Sequence, residues 1–424
     1  MAAAPNPKTN ISMDSSPQIQ LTPVHYSTLA PLREPLFRSL WIAAVISYTG
    51  SWMQNVATGW LMSNLTPSPL WVSLVQVALS LPVFLIALPA GALADMIDRR
   101  KFLLVTQSSM VAAAATLGVL TITGSVNPQL LLVFTFLLGV GAVMNDPAWQ
   151  ALTPDLVPPP KLASAVALNS AGFNIARAVG PALGGFVIAT AGNGVAFLLN
   201  ALSFFGVILF LYRWKPAVRE LPPAGSLTTA IVGGMRYLRQ DARIRAVLVR
   251  TVAFTLFASA FWALLPLIAR VYGAEGYGIM LACFGLGALV GAAVLSRLRR
   301  KLSFDGIVGA GNLIFAGAMF GLVRCQPLAL SSLCAAGAGL AWIINLASLN
   351  FVAQTAAPAW VRARVMSMYI LALGGGLALG SAAWGIVAAQ MEIKFTLTTA
   401  AIGLCAGLLL APWCRLNHFE SSQT

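Results

Sequence analysis

Long apolar runs separated by short polar segments make up the chain from residue 39 to residue 412. Most runs hold about 20 residues or more, the length that a helix needs to cross the hydrocarbon core of a bilayer. They lack the two-residue alternation that is typical of membrane β-barrel strands. The pattern therefore predicts an all-α membrane protein with twelve spans, at residues 39–62, 70–94, 102–124, 128–150, 163–190, 193–212, 246–271, 277–297, 305–323, 328–352, 365–389 and 393–412.

Composition excludes a soluble protein and narrows the chemistry. Of 424 residues, 58% are hydrophobic and only 9% are charged, whereas soluble domains carry about 25% charged residues. The two histidines lie in the tails, the five cysteines form no CxxC pair, and no GxxxxGK[ST] sequence occurs. These features argue against a metal site, a disulfide framework and an ATP-binding loop. We expect no cofactor and no bound metal.

Basic residues indicate the orientation in the membrane. The formal net charge is +14, and 21 of the 26 Lys and Arg residues fall in segments on one side of the predicted membrane, against three on the other. Positive charge collects in the cytoplasmic loops of membrane proteins, so both termini are predicted to be cytoplasmic. The same distribution argues against nucleic acid as a partner, because the bases are spread over short loops.

The longest polar segment between spans divides them six and six. We expect a disordered cytoplasmic tail over residues 1–38, a six-helix bundle over 39–212, a cytoplasmic central loop over 213–245, a second six-helix bundle over 246–412 and a cytoplasmic tail over 413–424. A basic stretch late in the central loop could form a short helix along the anionic inner leaflet.

The two halves of the chain repeat in sequence. Gly91 and Arg99–Lys101 recur as Gly291 and Arg299–Lys301, an offset of 200 residues. The segment 150–154 recurs as 354–358, an offset of 204. Because six spans separate the copies, the repeat is parallel, and a substrate path is expected between the two halves near the membrane midplane.

Two motifs in the first half connect these spans to a known group of transporters. The hairpin between spans 2 and 3 reads GALADMIDRRK over residues 91–101, and span 5 contains the sequence GPALGG over residues 180–185. Glycines on neighbouring turns permit close helix contact, and a proline within a membrane helix can kink it. Together with the twelve spans and the parallel repeat, these motifs resemble the major facilitator superfamily of secondary transporters over about residues 39–412.

The resemblance implies roles for residues of both motifs. The hairpin matches the superfamily motif G-x-L-A-D-[RK]-x-G-R-[RK] and departs from it at Met96 and Asp98. It implies a cytoplasmic clamp in which Asp95 bonds to Arg99 and to the amino end of span 11, near Arg364. In the second half, Leu295 occupies the position that corresponds to Asp95. Only one clamp is therefore expected. The implied gating residues are Gly91, Asp95, Arg99 and Arg100 in the hairpin, and Gly180, Pro181, Gly184 and Gly185 in span 5.

Span 5 also resembles a narrower group. Its pattern N-x-x-R-x-x-G-P-x-x-G-G, with the segment VRARVMS at 361–367, is similar to that of enterobactin exporters and macrolide-efflux proteins. This resemblance implies export across a bacterial inner membrane, with span 5 as a rocking element. The alternative is that these small residues serve only in helix packing.

Two charged residues inside spans are the main candidates for function. Arg177 lies fourteen residues from the inner end of span 5, roughly 20 Å along a helix, and a charge at that depth must face protein or water. It either receives an anionic group of the substrate or pairs with an acid. Asp146 is the only carboxylate well inside a predicted span, since Asp305 stands at the border of its span and is interpreted as interfacial. Asp146 is therefore the candidate for proton coupling; otherwise it is a polar group at the inner mouth.

The roles of the other polar and aromatic residues in the spans are predicted less specifically. Six amides are candidate cavity-lining residues: Asn174, Gln54, Asn55, Gln76, Asn345 and Asn350. Each could equally bond one helix to another. Arg250 lies about one turn inside span 7 and is expected to snorkel to the interface. Five tryptophans are expected to serve in packing or at the membrane interface rather than in a substrate site: Trp52, Trp60, Trp71, Trp262 and Trp384.

These features predict a secondary active exporter that works by alternating access and is driven by the proton gradient. The expected cargo is a siderophore-like or other polar anionic metabolite, because the central charge is basic. The alternative is a multidrug or macrolide pump. A membrane-embedded enzyme would need a catalytic pair at the interface, where no histidine lies. A channel or scaffold would leave the repeat and the hairpin motif unexplained. The expected partners are the bilayer, the small-molecule cargo and protons, and the expected state is a monomer.

Overall fold

The structure is a computed structural model that describes residues 27, 29–214, 241–324, 326–358 and 361–416. Within these ranges, the side chains of residues 88, 91, 92, 94–96, 151 and 363 are not described. Most of the predicted N-terminal tail, most of the predicted central loop and residues 417–424 therefore lie outside the described part of the chain. The basic stretch at 236–245 is described only from residue 241, and Arg243 and Arg245 belong to the helix that begins at Ala242.

The described residues form helices joined by short turns. They comprise α1 (Pro35–Leu65), α2 (Pro69–Met96), α3 (Arg99–Ile122), α4 (Pro128–Leu152), α5 (Leu162–Ala191), α6 (Asn193–Arg213), α7 (Ala242–Ile268), α8 (Gly273–Leu298), α9 (Phe304–Arg324), α10 (Leu328–Ala356), α11 (Arg362–Gln390) and α12 (Ile393–Ala406). Each predicted span coincides with one of these helices, so the predicted all-helical fold is confirmed.

Length and apolar composition identify ten candidate membrane spans among the described residues. One of them, Ala242–Leu298, runs through both α7 and α8, and α1 is not among the ten. The chain is therefore a multi-pass helical membrane protein. Twelve crossings of the bilayer stay a prediction.

Local sequence explains where several helices begin. Proline occupies the first position of α1, α2 and α4, where its missing N–H costs nothing and its fixed φ suits a helix. Asp98, Asn127 and Asp241 precede α3, α4 and α7, and each accepts a hydrogen bond from a first-turn backbone N–H, as N-cap residues do. Gly192, with φ of 86°, separates α5 from α6, a conformation that glycine adopts without steric cost.

The helices of the two halves pack in the same way. Helix α1 packs on α5 and α6, α2 on α4, and α3 on α4 and α6; correspondingly, α7 packs on α11 and α12, α8 on α10, and α9 on α10 and α12. The main contacts between the halves are α2 with α11 and α5 with α8. We call the two groups, α1–α6 and α7–α12, the N-terminal and C-terminal bundles.

Glycine contacts show that the two interfaces between bundles are equivalent. A Cβ placed on Gly185 of α5 would lie 2.9 Å from the Cα of Gly278 in α8. Two hundred residues later, Gly385 of α11 packs directly against Ser73 of α2. The two contacts occupy equivalent places in the repeat, so residue 185 corresponds to 385 and residue 73 corresponds to 278. The sequence repeat thus extends from the loops into the helices that meet between the bundles.

The largest buried apolar cluster connects the bundles. It includes Val56 and Phe197 from the first bundle and Phe261, Phe284 and Phe315 from the second. Close packing of these side chains fixes how the two bundles meet in this conformation. Val56 and Phe284 also line the cavity described next.

Candidate functional site

A cavity of about 540 Å³ lies between the two bundles, a volume within the range of small-molecule sites. All six helices of the N-terminal bundle contribute to its wall, together with α7, α8, α10 and α11. Its polar residues from the N-terminal bundle are Ser51, Gln54, Asn55, Gln76, Ser80, Asp146, Arg177 and Asn200. The C-terminal bundle contributes Trp262, Pro266, Tyr277, Leu281, Phe284, Trp342, Leu373, Gly374 and Leu377.

Arg177 lies in the middle of α5 and lines this cavity. Its Nε and Nη2 atoms are buried and have no hydrogen-bond partner in the described part of the chain, and Arg177 forms no ion pair with any carboxylate described there. Buried guanidinium groups normally bind carboxylates or other acceptors. An unpaired guanidinium in a cavity wall is suited to receive an anionic group of a ligand. The structure gives no support to the alternative of a structural ion pair.

Asp146 lines the same cavity from α4. Its side chain is open rather than packed, and it forms no ion pair among the described residues. Helix α4 continues through Pro147. The preceding residue, Asn145, is held by α3, because Gln107 donates a hydrogen bond to its Oδ1 at 3.0 Å. The cavity thus brings the two predicted charged residues together without pairing them.

Three of the predicted amides also line the cavity, and two of them make polar contacts. Asn200 Nδ2 donates to Gln54 Oε1 at 2.5 Å, and Gln76 Nε2 donates to Ser80 Oγ at 2.9 Å. Asn55 lines the wall next to Gln54. Sequence analysis missed Asn200, whose position within an apolar run gave no signal of its partner in α1.

The other three amides lie outside this cavity, so their predicted lining role is not met in this conformation. Asn174 donates to the carbonyl of Ser170 within α5, and Asn350 accepts from Gln354 within α10. Asn345 is fully buried against Gly311 of α9. The six amides differ because residues around one helix face different neighbours, and an all-apolar span does not reveal which of its faces meets the cavity.

The glycine motif of α5 contacts two neighbours. A Cβ on Gly180 or Gly184 would approach the backbone of α1 at 2.9 Å from Thr49 O and 3.0 Å from Met53 Cα, respectively. Gly185 faces α8. Gly278 of α8 packs against both Gly185 and the carbonyl oxygen of Pro181. One side of the motif therefore packs within the N-terminal bundle, and the other side lies at the seam between the bundles. Its gating role stays a prediction.

The hairpin motif is only partly described. Arg99 Nη1 lies 3.6 Å from Asp155 Oδ2, and Arg100 donates to the carbonyls of Leu211 and Tyr212 at the end of α6. Asp98, a departure from the superfamily motif, caps α3 by accepting from Lys101 N at 2.8 Å. The side chains of residues 91 and 95 lie outside the described part of the structure, so the predicted Asp95 clamp stays a prediction.

Two predictions about aromatic residues are corrected. Trp52 and Trp262 were expected in packing or at the interface, yet both line the cavity. Trp342, which sequence analysis did not select, lines it as well. Trp384 does serve in packing, because its Nε1 donates to Leu256 O at 2.8 Å. All four tryptophans lie in apolar runs, so their sequence context did not distinguish packing from cavity lining.

The expectation that Arg250 snorkels to the interface is wrong. Its side chain is 3% exposed and forms an ion pair with Asp305 of α9. Asp305 also accepts from Leu416 N at 3.1 Å. The pair therefore ties α7, α9 and the segment after α12 at one end of the C-terminal bundle, away from the cavity.

Several characterised transporters are similar in sequence. The staphyloferrin A transporter of Staphylococcus aureus is 23% identical over 285 residues, covering 66% of this chain and 72% of its own. The multidrug efflux pump Tap of Mycolicibacterium fortuitum is 28% identical over 370 residues, 84% of this chain and 88% of its own. The enterobactin exporter EntS of Escherichia coli K12 is 25% identical over 398 residues, 92% of this chain and 94% of its own.

The fold and the whole chain also match known proteins. The inward-facing structure of a bacterial homologue of the human lysosomal transporter Spinster superposes with a TM-score of 0.68 at 15% identity, covering 91% of this chain and 95% of its own. At that identity the likeness concerns the fold alone. The family of transmembrane secretion effectors matches residues 26–424.

Proposed function

We propose a function from one premise: this chain belongs to the family of transmembrane secretion effectors, which are major facilitator transporters. It is a multi-pass membrane transporter. We infer that it exports a small anionic organic molecule, siderophore-like in chemistry, across a bacterial inner membrane by alternating access. Proton antiport supplies the energy. The cargo binds in the cavity between the bundles, and the bundles rock about their α2–α11 and α5–α8 contacts.

The unpaired guanidinium of Arg177 is the observation that carries the proposal. A buried cation without an acceptor costs free energy that an anionic ligand would recover, since hydrogen bonds to charged groups contribute about 1.5–3 kcal/mol. The polar wall around it, which includes Gln54 and Asn200, offers further hydrogen bonds. Relatives named for staphyloferrin A and for enterobactin support the same class of cargo.

The test replaces Arg177 and measures export. In a strain lacking this protein, cells complemented with Arg177→Ala should retain small anionic iron chelators in the cytoplasm under iron starvation. We expect export to fall roughly ten- to hundredfold, as loss of charge-assisted hydrogen bonds predicts, and Arg177→Lys to restore part of it. Export would be followed by mass spectrometry of medium and cytoplasm.

The matched control is Arg324→Ala, which removes an exposed arginine at the end of α9, outside the cavity. It should leave export unchanged. If Arg177→Ala secretes every anionic metabolite at the wild-type rate, an anionic cargo at Arg177 is refuted.

Multidrug efflux is the second candidate, and Asp146 favours it. An open carboxylate in a cavity that aromatic rings also line suits hydrophobic cations, which bind over ring faces, and the relative Tap is named a multidrug efflux pump. A deletion strain that secretes chelators normally but becomes sensitive to macrolides or cationic dyes would establish this candidate in place of the first.

A further inference from the structure

The two walls of the cavity differ in chemistry. Three rings of the C-terminal bundle, Trp262, Phe284 and Trp342, all line it, and we call them the aromatic wall. Their centroids lie 4.6 Å apart for Trp262 and Phe284, 5.7 Å for the two tryptophans and 6.4 Å for Phe284 and Trp342. The rings are therefore contiguous. The charges, Asp146 and Arg177, lie on the opposite bundle.

The internal repeat shows that this division belongs to the sequence. Residue 377 corresponds to residue 177 by the same offset of 200 that pairs the interface glycines of α5 and α11. Leu281 corresponds to Gln76 by the offset that pairs residue 73 with 278. All four side chains line the cavity. Arg177 and Gln76 are thus charged or polar where their counterparts, Leu377 and Leu281, are aliphatic. A cargo that contacts both pairs therefore meets a polar surface on one side and an apolar surface on the other.

The aromatic wall has a rigid backing and an unused donor. Trp342 packs on Phe254 with centroids 5.6 Å apart and on Phe315 at 6.2 Å, which fixes its ring. Trp262 Nε1 is buried and has no hydrogen-bond partner in the described structure. Aromatic rings prefer other rings in stacked or edge-to-face arrangements, a preference that an aliphatic wall would not have.

We propose that the aromatic wall selects an aryl group, so that the transported class is aryl anions. The charged group lies against Arg177, and the ring lies against Trp262 and Trp342. This inference rests on the proposed function, because it needs an anionic cargo at Arg177. It goes further by making the two tryptophans specificity-determining residues for the apolar half of the molecule.

The experiment compares two probes that share a carboxylate and differ in their rings. Binding of 2-naphthoate and of decahydro-2-naphthoate to the purified full-length protein would be measured by calorimetry. We expect the wild type to bind the aryl probe roughly three- to tenfold more tightly, the range that aromatic contacts contribute. Trp342→Leu and Trp262→Leu should remove this preference by weakening only the aryl probe.

Two further variants keep the result interpretable. Trp262→Phe retains a ring, so it should fold and keep most of the preference, while Trp413→Leu removes a tryptophan that is 88% exposed and should change nothing. Equal binding of the two probes by the wild type, binding of neither, or an equal loss of both in the tryptophan variants would overturn the inference.

Arg177→Ala separates this inference from the proposed function. If the proposed function and this inference both hold, Arg177→Ala weakens the binding of both carboxylate probes and keeps the ratio of their affinities. If it weakens neither while the aryl preference persists, the anionic cargo site at Arg177 is lost and selection by the aromatic wall survives. Tighter binding of 2-naphthylmethylammonium than of 2-naphthoate would indicate a cationic cargo and refute both.

Discussion

At the scale of single residues, the cavity holds two opposite charges that do not pair. Arg177 has buried donors without partners, and Asp146 is open to the cavity. A salt bridge between them would have neutralised both. Their separation leaves the arginine available to an anion and the aspartate available to a proton.

Asp146 is predicted to couple export to the proton gradient. In inside-out membrane vesicles, Asp146→Asn should abolish the acceleration of transport by an imposed pH gradient, because an amide side chain, unlike a carboxylate, has no titratable proton. Transport down the cargo's own gradient should continue. The control is Glu392→Gln, an exposed acid between α11 and α12. Full gradient dependence in the Asp146 variant would contradict the prediction.

At the scale of helices, small residues allow the bundles to meet closely. Gly185 and Gly278 bring the backbones of α5 and α8 together, and Gly385 does the same for α11 and α2. Backbones without side chains between them can shift against each other without unlocking interdigitated groups. The repeat is imperfect at this seam, since Trp384 stands where Gly184 stands in α5 and bonds α11 to α7.

Adding one methyl group at this seam should slow transport. In Gly185→Ala, the new Cβ would lie 2.8 Å from Ala274 O and 2.9 Å from Gly278 Cα, and these backbone atoms cannot move independently. Overpacking of this kind costs about 1–3 kcal/mol, so we expect transport to fall roughly five- to hundredfold. Gly317→Ala is the control, since its Cβ meets nothing within 4 Å. Equal rates for both variants would argue against this seam as a moving contact.

The ion pair between α7 and α9 should contribute mainly to stability. Asp305→Ala leaves Arg250 charged and buried, and breaking a buried pair costs about 3–5 kcal/mol. Thermal unfolding in detergent should therefore begin at a clearly lower temperature. The double variant Arg250→Met with Asp305→Leu should recover much of the loss, because no buried charge remains. If the single and double variants unfold at the same temperature, charge burial is not the cause.

At the scale of the whole molecule, the repeat organises both the packing and the cavity. The helix contacts within one bundle recur in the other, and the two interfaces between bundles are equivalent by an offset of about 200 residues. The chemistry of the cavity does not follow this symmetry, because Arg177 corresponds to Leu377. A symmetric scaffold thus presents an asymmetric site.

The charge bias predicts the orientation of the whole molecule. In a functional variant freed of its native cysteines, a cysteine at Ser125, between α3 and α4, should react with an impermeant maleimide in intact cells. A cysteine at Ser303, between α8 and α9, should react only after permeabilisation, because positive loops stay inside. Both positions are exposed. The reverse labelling pattern would invert the predicted topology and the direction of transport.

Sequence reasoning reached the cavity through its charged residues and missed its apolar wall. Arg177 and Asp146 were identifiable because a charge in an apolar run is costly and conspicuous. Trp342 was not, because a tryptophan in such a run is equally compatible with lipid, packing or a cavity. Asn200 and Asn345 illustrate the same limit: two similar amides, of which only Asn200 lines the cavity.

The sequence by itself determined the helices, their approximate ends and the parallel repeat. These follow from local causes: apolar length, proline at helix starts, capping residues and the spacing of motifs along one chain. Only the tertiary structure decided which face of each helix meets the cavity, that Arg250 pairs with Asp305, and that the charges of the cavity lie on one bundle while the aromatic wall lies on the other. In a membrane, lipid is as apolar as a packed interior, so an amphipathic pattern cannot distinguish the two faces. Contacts between distant segments had to supply that information.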